Sequence, residues 1–326
     1  VNDRSETTMT GGVRLPRYRL GDGVRDVLGK EITERLRDSE LDSDADAAIL
    51  AGVGAYALRA VLPGLLLDAL ETFPVGGSHA LLLTNLPGQD FPPTPVTGYG
   101  DEPALAVVNA LHFGLLRLLG TTPFAVSYEN KGRLIRNVVP NPEAAGTTSS
   151  WGADSEFFWH SDNPHLPFGE PGSDPRLFVP RYLSFYAVRN HERVPTELTP
   201  VEGVAEGLDS WHRRLLESPH FTVGAPASND PEATERPLEH TPLLETGPDG
   251  RHRIRYDQGT TRALTDDASL ALEAFQEMLT TIPSTGLVLD EGDFMVFDNY
   301  RVLHRRRAFS PHPVVAARWL RRCYAS

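Results

Sequence analysis

Helical patterns crowd the first third of this sequence, and short strand patterns divided by turn residues fill most of the rest. Residues 42–73 are apolar at helical spacing, with Ser43 or Asp44 as N-cap and a break at Pro63-Gly64. In residues 103–119, Leu105, Val108, Leu111, Leu115 and Leu118 recur on one helical face, and Gly120 closes the helix. Strand patterns fall at 79–85, on either side of a turn at 130–132, and at 155–160, 181–188, 287–289, 294–297 and 316–324. Further helices are inserted at 201–217 and at 266–281, the latter with Asp266 as cap. Strands and helices do not alternate, and there is no phosphate-loop or dinucleotide glycine fingerprint, so a doubly wound parallel sheet is disfavoured. The pattern predicts an α+β fold with a mainly β core carrying flanking and inserted helices.

Composition narrows the class. With 28 glycines and 27 prolines the chain is turn-rich, and 40% hydrophobic residues are enough for a large core. Cys323 is the sole cysteine, so no intramolecular disulfide can form and a reducing, cytoplasmic setting is expected. The most apolar window, residues 48–67, has the length of a membrane span but contains Arg59, Pro63 and three glycines, which favours a buried helix pair. Residues 1–20 read as a polar arm, and 21–326 as one domain with its core at about 79–326. Long loops at 163–180 and 229–262, rich in Pro, Gly and polar residues, have the character of lids.

Charge points away from nucleic acid. There are 31 Lys plus Arg against 44 Asp plus Glu, a net −13. Only Lys30 and Lys131 are lysines, and seven arginines gather between residues 301 and 322. A solvated basic face accounts for such a cluster, and so does an anion site in an acidic protein.

Among eleven histidines, only His160 is followed two residues later by an acid, in His160-Ser161-Asp162. Residues i and i+2 of an extended segment share a face, so imidazole and carboxylate can converge as two ligands of a 2-His-1-carboxylate iron site. A histidine capping a turn would give the same pattern. Context favours the metal: His304, after the strand at 294–297, can supply the third ligand, and Arg318 follows in the last strand. An arginine offers a carboxylate two parallel hydrogen bonds, which suits the far end of 2-oxoglutarate. Arg318, Leu320, Arg322 and Tyr324 share one strand face, and the two arginines, about 13 Å apart at ~3.3 Å per residue, can serve two carboxylates. Arg305, Arg306, Arg307 and Arg321 are expected at the surface.

Several segments together resemble the clavaminate synthase-like Fe(II)/2-oxoglutarate oxygenases. They are Phe158-Trp159-His160-Ser161-Asp162-Asn163, the run from Glu291 to His304, Phe309-Ser310-Pro311 and Arg318-Trp319-Leu320-Arg321-Arg322, with weaker likeness at 81–87 and 137–140. The resemblance implies a double-stranded β-helix (jelly-roll) core, Fe(II) on His160, Asp162 and His304, and 2-oxoglutarate on Arg318 assisted by Thr196, with O2 as second co-substrate. It also implies substrate contacts from Arg322, Ser150, Arg136 and Asp257.

The chain departs from the family at three places. Residues 312–317 lack an aromatic-Asp-Gly stretch. Arg136-Asn137 stands where relatives carry Gln or His before Asp. Tyr256-Asp257 lacks the second acid that follows in arginine hydroxylases. The implied activity is hydroxylation of an unactivated C–H of an amino acid, free or carrier-tethered, or of a derivative, in antibiotic-type metabolism. Desaturation or oxidative cyclisation by the same site, and a non-catalytic carboxylate-binding protein, are the alternatives; Asp162 argues against a halogenase. No nucleic-acid or membrane partner is expected.

Overall fold

The computed structural model describes residues 6–10, 12–147, 149–170, 172–226, 229 and 236–326. Strands β1 (Glu6–Thr10) and β2 (Val13–Arg19) form an antiparallel hairpin, and β2 runs parallel to β3 (Ala80–Thr84). The arm expected at 1–20 therefore carries the strands β1 and β2, while residues 1–5 and 11 lie outside the described residues. Val13 and Leu15, spaced by two, bury completely enough to hold β2 on the core.

Between β2 and β3 come α1 (Asp22–Arg35), α2 (Ala47–Val61) and α3 (Gly64–Gly76). The Pro63-Gly64 break divides α2 from α3 as the sequence suggests, although α2 starts after Asp46, later than the expected caps. No helix among the described residues is long and apolar enough to cross a membrane. The next helix, α4 (Ala106–Leu118), crosses α2 at two glycines. A Cβ on Gly54 would sit 1.7 Å from the Ala110 carbonyl oxygen, and one on Gly114 would sit 2.5 Å from the Gly54 carbonyl carbon, so the backbones touch.

Strands β4 (Pro123–Phe124), β5 (Ile135–Val138), β6 (Phe157–His160), β7 (Tyr182–Arg189) and β8 (Thr196–Pro200) follow. The helix expected at 201–217 is two, α5 (Val201–Gly207) and α6 (Ser210–Leu216), because extended Leu208 interrupts it and Asp209 caps the second half through Trp211 and His212 N–H. Short strand β9 (Phe221–Val223) follows, and β10 (Leu238–Thr241), β11 (Leu244–Thr246), β12 (His252–Ile254) and the start of β13 (Thr261–Ala263) fall within the expected 229–262 loop. Residues 230–235 of that loop, and residue 171 of the 163–180 loop, lie outside the described residues. Helix α7 (Asp266–Thr281) is capped by Thr265 rather than Asp266, its hydroxyl accepting from Ala268 N. The chain closes with β14 (Thr285–Leu287), β15 (Phe294–Asp298), β16 (Val302–Arg306) and β17 (Trp319–Ala325).

Two sheets carry the architecture. The larger has the order β1-β2-β3-β15-β7-β17-β4, with β5 also paired to β17. The smaller is β14-β8-β16-β6. Period-two alternation sorts their side chains into layers. On β15 and β17, Phe294, Val296, Trp319 and Cys323 pack against α1–α4, whereas Met295, Phe297, Leu320 and Tyr324 face the smaller sheet. On β16, Val302 faces the larger sheet and Leu303 packs outward on the cluster built with α5 and α7. The result is a mixed α+β fold in which inward-pointing side chains of both sheets meet.

Candidate active site

The inter-sheet layer ends in a polar cluster because three strands put charged residues on their inward faces. His304 is the cross-strand partner of His160 in the β16–β6 ladder, with ring centroids 4.0 Å apart. Asp162 lies two residues beyond β6, and Asn299, in the turn between β15 and β16, fixes it there. The Asn299 side-chain oxygen accepts from Asp162 N at 2.9 Å, and its nitrogen donates to Asp162 O at 3.1 Å and Pro180 O at 2.9 Å.

One ligand atom from each of His160, Asp162 and His304 lies within 4.8 Å of the others, and all three residues are buried. Asp162 Oδ1 is 3.4 Å from Nε2 of both histidines, longer than the 2.7–2.9 Å of a charge-assisted hydrogen bond. His160 Nδ1 donates to Phe158 O at 2.7 Å, which directs the Nε2 lone pair inward, and that Nε2 is buried without a hydrogen-bond partner among the described residues. Burial and the neighbouring His160 push His304 down to about 4, so it is neutral and able to ligate at pH 7. Burial alone would raise the Asp162 carboxyl, but Arg322 and the two imidazoles outweigh it and hold it well below the usual range. Two imidazoles and an ionised carboxylate, with an orphaned nitrogen among them, fit one divalent metal ion.

The other oxygen of Asp162 is held from behind. Arg322 Nη1 donates to Oδ2 at 2.7 Å, and the Tyr324 hydroxyl is 3.0 Å from the same atom. Arg322 Nη2 also donates to Glu129 at 2.8 Å, and Glu129 takes Arg136 at 2.9 Å and the Tyr324 hydroxyl at 2.7 Å. Arg136 donates from Nε to Ser150 Oγ at 3.0 Å and lies over the Trp151 ring. Charges therefore alternate in a buried row from Arg136 through Glu129 and Arg322 to Asp162.

Arg318 is different. It is buried, yet its guanidinium meets no acid among the described residues, and its Nε has no acceptor. Burial, with Arg306 nearby, lowers it to about 9. One cavity is lined by Arg318, Arg322, Thr196, Ser150, Asp162 and His304. Asp257 stands apart from that cavity. Its backbone bridges His160, and its Oδ1 accepts from Gly259 N and Thr260 N in its own turn.

The arginine cluster divides in a way that the sequence reading missed. Of the four arginines expected at the surface, Arg307 alone is exposed. Arg306 shares the inward face of β16 with His304 and donates to the carbonyls of Ser149, Gly152, Ala153 and Ser155. Arg321 points to the helices, fully buried, and pairs with Glu102 at 2.5 Å and with Asn137. Arg305 is half-buried over Trp159 and pairs with Glu197. Glu129 and Tyr324, both on the metal carboxylate's network, were not singled out. Tyr324 was detectable from its alternation with Arg322, whereas Glu129 sits in an irregular turn with no pattern around it.

Comparison with known proteins agrees with this geometry. The family described as taurine catabolism dioxygenase TauD, TfdA matches residues 108–324, about two-thirds of the chain. Enduracididine beta-hydroxylase of Streptomyces hygroscopicus is 24% identical over 276 residues, covering 75% of this chain and 76% of its own. An asparagine oxygenase solved with Fe(II), 3-hydroxyasparagine and succinate superposes with a TM-score of 0.77 at 22% identity, covering 94% of this chain and 92% of that one. The non-heme iron oxygenase OrfP, solved with Fe, succinate and a dihydroxylated arginine, gives a TM-score of 0.78 at 22% identity, covering 95% and 94%.

Proposed function

We infer the activity from one premise: the chain belongs to the taurine catabolism dioxygenase TauD, TfdA family. It is a 2-oxoglutarate-dependent dioxygenase, and we propose that it hydroxylates an unactivated C–H of an amino acid or amino-acid-derived intermediate in specialised metabolism. The observation that carries this is the buried His160, Asp162 and His304 set facing the unpaired guanidinium of Arg318. Relatives whose names or bound products specify enduracididine, asparagine and arginine support the amino-acid class.

In this proposal Fe(II) sits on His160, Asp162 and His304. Bound iron with 2-oxoglutarate and O2 supplies the oxidising power: one oxygen atom enters the substrate C–H, and the other enters succinate as CO2 is lost. The protein's own part is orientation. Arg318 offers its planar fork to the distal carboxylate of 2-oxoglutarate, and Thr196 lines the same cavity. Arg322 holds Asp162 Oδ2, which would leave Oδ1, the oxygen beside both histidines, to bind the metal. The rings of Phe157, at 3.8 Å from His160, and Phe297, at 5.0 Å from His304, exclude water from the ligand side chains. Arg136, Ser150, Arg322 and Asp257 are the proposed substrate contacts; a substrate carboxylate shares Arg322 with Asp162 and Glu129.

The same proposal makes the two facing sheets a double-stranded β-helix. It takes the chain as one oxygenase domain whose loops at 163–180 and 229–262 cover the site. A cytoplasmic setting belongs to it as well, supported by the single, buried Cys323. The test is succinate formation from 2-oxoglutarate with Fe(II) and O2 across amino acids and their derivatives, with product mass measured in parallel. A substrate gaining one oxygen atom, with loss of both signals in His160→Ala, is the expected result. Equal turnover by His160→Ala would sink the proposal.

A further inference from the structure

Away from the metal, a second cavity of about 380 Å3 opens between the β11–β12 hairpin, the end of α3 and the turn joining β15 to β16. Its size is that of a small-molecule site. Four arginines line it, Arg181, Arg251, Arg253 and Arg301, against the acids Asp249 and Asp298. Arg301 is engaged, its Nε and Nη2 both donating to Glu202 Oε1 at 2.9 and 2.5 Å. The other three make no close ion pair among the described residues, and Arg251 donates only to the Val75 carbonyl, at 3.4 Å. Arg181 comes no closer than 3.9 Å to Asp298, Arg251 no closer than 3.8 Å to Asp249, and Arg253 no closer than 3.8 Å to Glu245, which already pairs with Arg255. Elsewhere the buried arginines Arg136, Arg321 and Arg322 meet their acids at 2.5–2.9 Å.

Two further observations point to a missing anion. The Nε atoms of Arg181 and Arg253 are buried without an acceptor among the described residues. A buried donor left unpaired is costly, and an ion that completes it is a common explanation. Both guanidinium planes are also held in place by aromatic faces: Arg253 lies 4.8 Å from the Phe168 ring centroid, and Arg181 lies 5.2 Å from Tyr182 and 6.0 Å from Tyr300. Such stacking fixes the fork while leaving its N–H edge free for oxygen acceptors. Burial pushes the Asp298 carboxyl up to about 6, against the pull of Arg181 and Arg301, so this acid is still mostly ionised at pH 7 and loses its charge only below about pH 6.

We propose that this cleft is a second binding site, separate from the iron site, for the phosphate group of a phosphorylated small molecule or of a phosphopantetheine arm. Three guanidinium forks approaching one cavity suit an oxyanion with several acceptor oxygens, and the volume leaves room for an organic portion. The cleft is also mechanically joined to the metal motif. Tyr300 lines it and bonds Gly169 N and Val179 O in the loop after Asp162, while the adjacent Asn299 holds Asp162 itself. An occupant would tie that loop to the β11–β12 hairpin.

The test uses the full chain without iron or 2-oxoglutarate, so it does not depend on the oxygenase reading. Inorganic phosphate, AMP, 3′,5′-ADP and coenzyme A are titrated by calorimetry and by thermal shift at fixed ionic strength. The expected result is saturable binding that Arg253→Gln and Arg181→Gln each weaken roughly tenfold or more, and that Arg318→Ala leaves unchanged. Coenzyme A binding more tightly than 3′,5′-ADP, which carries the same adenosine bisphosphate without the pantetheine, identifies the pantetheine arm, and equal or weaker binding identifies a free phosphorylated metabolite. Arg251→Gln, on the β11–β12 hairpin, covers the case in which Arg181→Gln fails to fold. No saturable binding of any probe at about 1 mM overturns the proposal, as does binding that disappears in Arg318→Ala and persists in Arg253→Gln.

Discussion

Replacing Arg322 by glutamine tests the buried charge row behind the metal ligands. Arg136, Glu129, Arg322 and Asp162 alternate in sign with contacts of 2.9, 2.8 and 2.7 Å, and no side chain in the row is more than 9% exposed. Glutamine removes the central cation and leaves two carboxylates facing one arginine. Exposed pairs are worth about 0–1 kcal/mol, but removing one partner of a buried pair costs about 3–5 kcal/mol. At an unfolding entropy of about 2.1 cal/mol/K per residue, a chain of this length should lose roughly 4–7 °C in Tm.

The pH dependence fixes the cause. Asp162 is held well below its ordinary 3.8 in the folded chain, so its stabilisation is present above that unfolded value and is lost as pH falls through the lowered folded one. Arg322→Gln raises the folded value, so the deficit should be full at neutral pH and shrink below about pH 4. Thermal melts of metal-free wild type and variant across that range measure it. A divalent ion such as Mn(II) restores positive charge at Asp162, so it should raise the Tm of the variant more than that of wild type. A variant within about 1 °C of wild type at neutral pH, or a deficit that persists unchanged in acid, refutes the reasoning.

Three more outcomes are expected. Arg318→Met removes a buried cation whose guanidinium has no direct ion pair among the described residues, Glu192 accepting only from its backbone N–H, so the ligand-free chain should melt higher while KM for 2-oxoglutarate rises by about a hundredfold or more; a lower Tm would show that the arginine has a structural partner. Gly54→Ala drives a methyl group into the Ala110 carbonyl and should cost about 1–3 kcal/mol or more in urea unfolding, with an unchanged midpoint contradicting the α2–α4 contact. For Glu202, burial is outweighed by His79 and Arg301, which bring it down to about 2, so it stabilises the fold above its ordinary 4.5 and stops doing so as pH falls through about 2. Glu202→Gln should accordingly be less stable than wild type at pH 6 and converge with it in strong acid, as read from denaturation midpoints.

Local pattern was sufficient for the elements that depend on local physics. Pro63-Gly64 splits α2 from α3, Gly120 adopts a positive φ of 71° at the end of α4, and Gly292, at φ 79°, turns the chain into β15 where a Cβ would meet the Leu86 carbonyl oxygen at 2.5 Å. The site was legible in part from period two, which puts Arg322 and Tyr324 on one face of β17, whereas Asp162 and Arg318 lie just outside their strands and reach the site with help from the turn at Asn299 and the start of β17. The N-terminal strands were not legible. β2 mixes arginines with apolar residues, and Val13 and Leu15 become a core pair only because the tertiary fold packs them with Ala80, Leu82 and Leu198 between the sheets.

The sequence by itself determined which side chains could share a strand face, and hence the metal set and the arginine opposite it. It could not determine the charge state of the neighbourhood. Arg321 and Arg306 are indistinguishable from Arg307 in composition, yet one pairs with Glu102 from 219 residues away, one gathers the carbonyls of the 149–155 loop, and one reaches solvent. Arg318 and Arg322, four residues apart on one face, differ only in whether an acid from another segment reaches them. Strand alternation is set by neighbouring residues along the backbone. A buried charge is paired or left free by what the tertiary fold brings beside it, because the cost of desolvating an ion is met only by groups within a few ångströms.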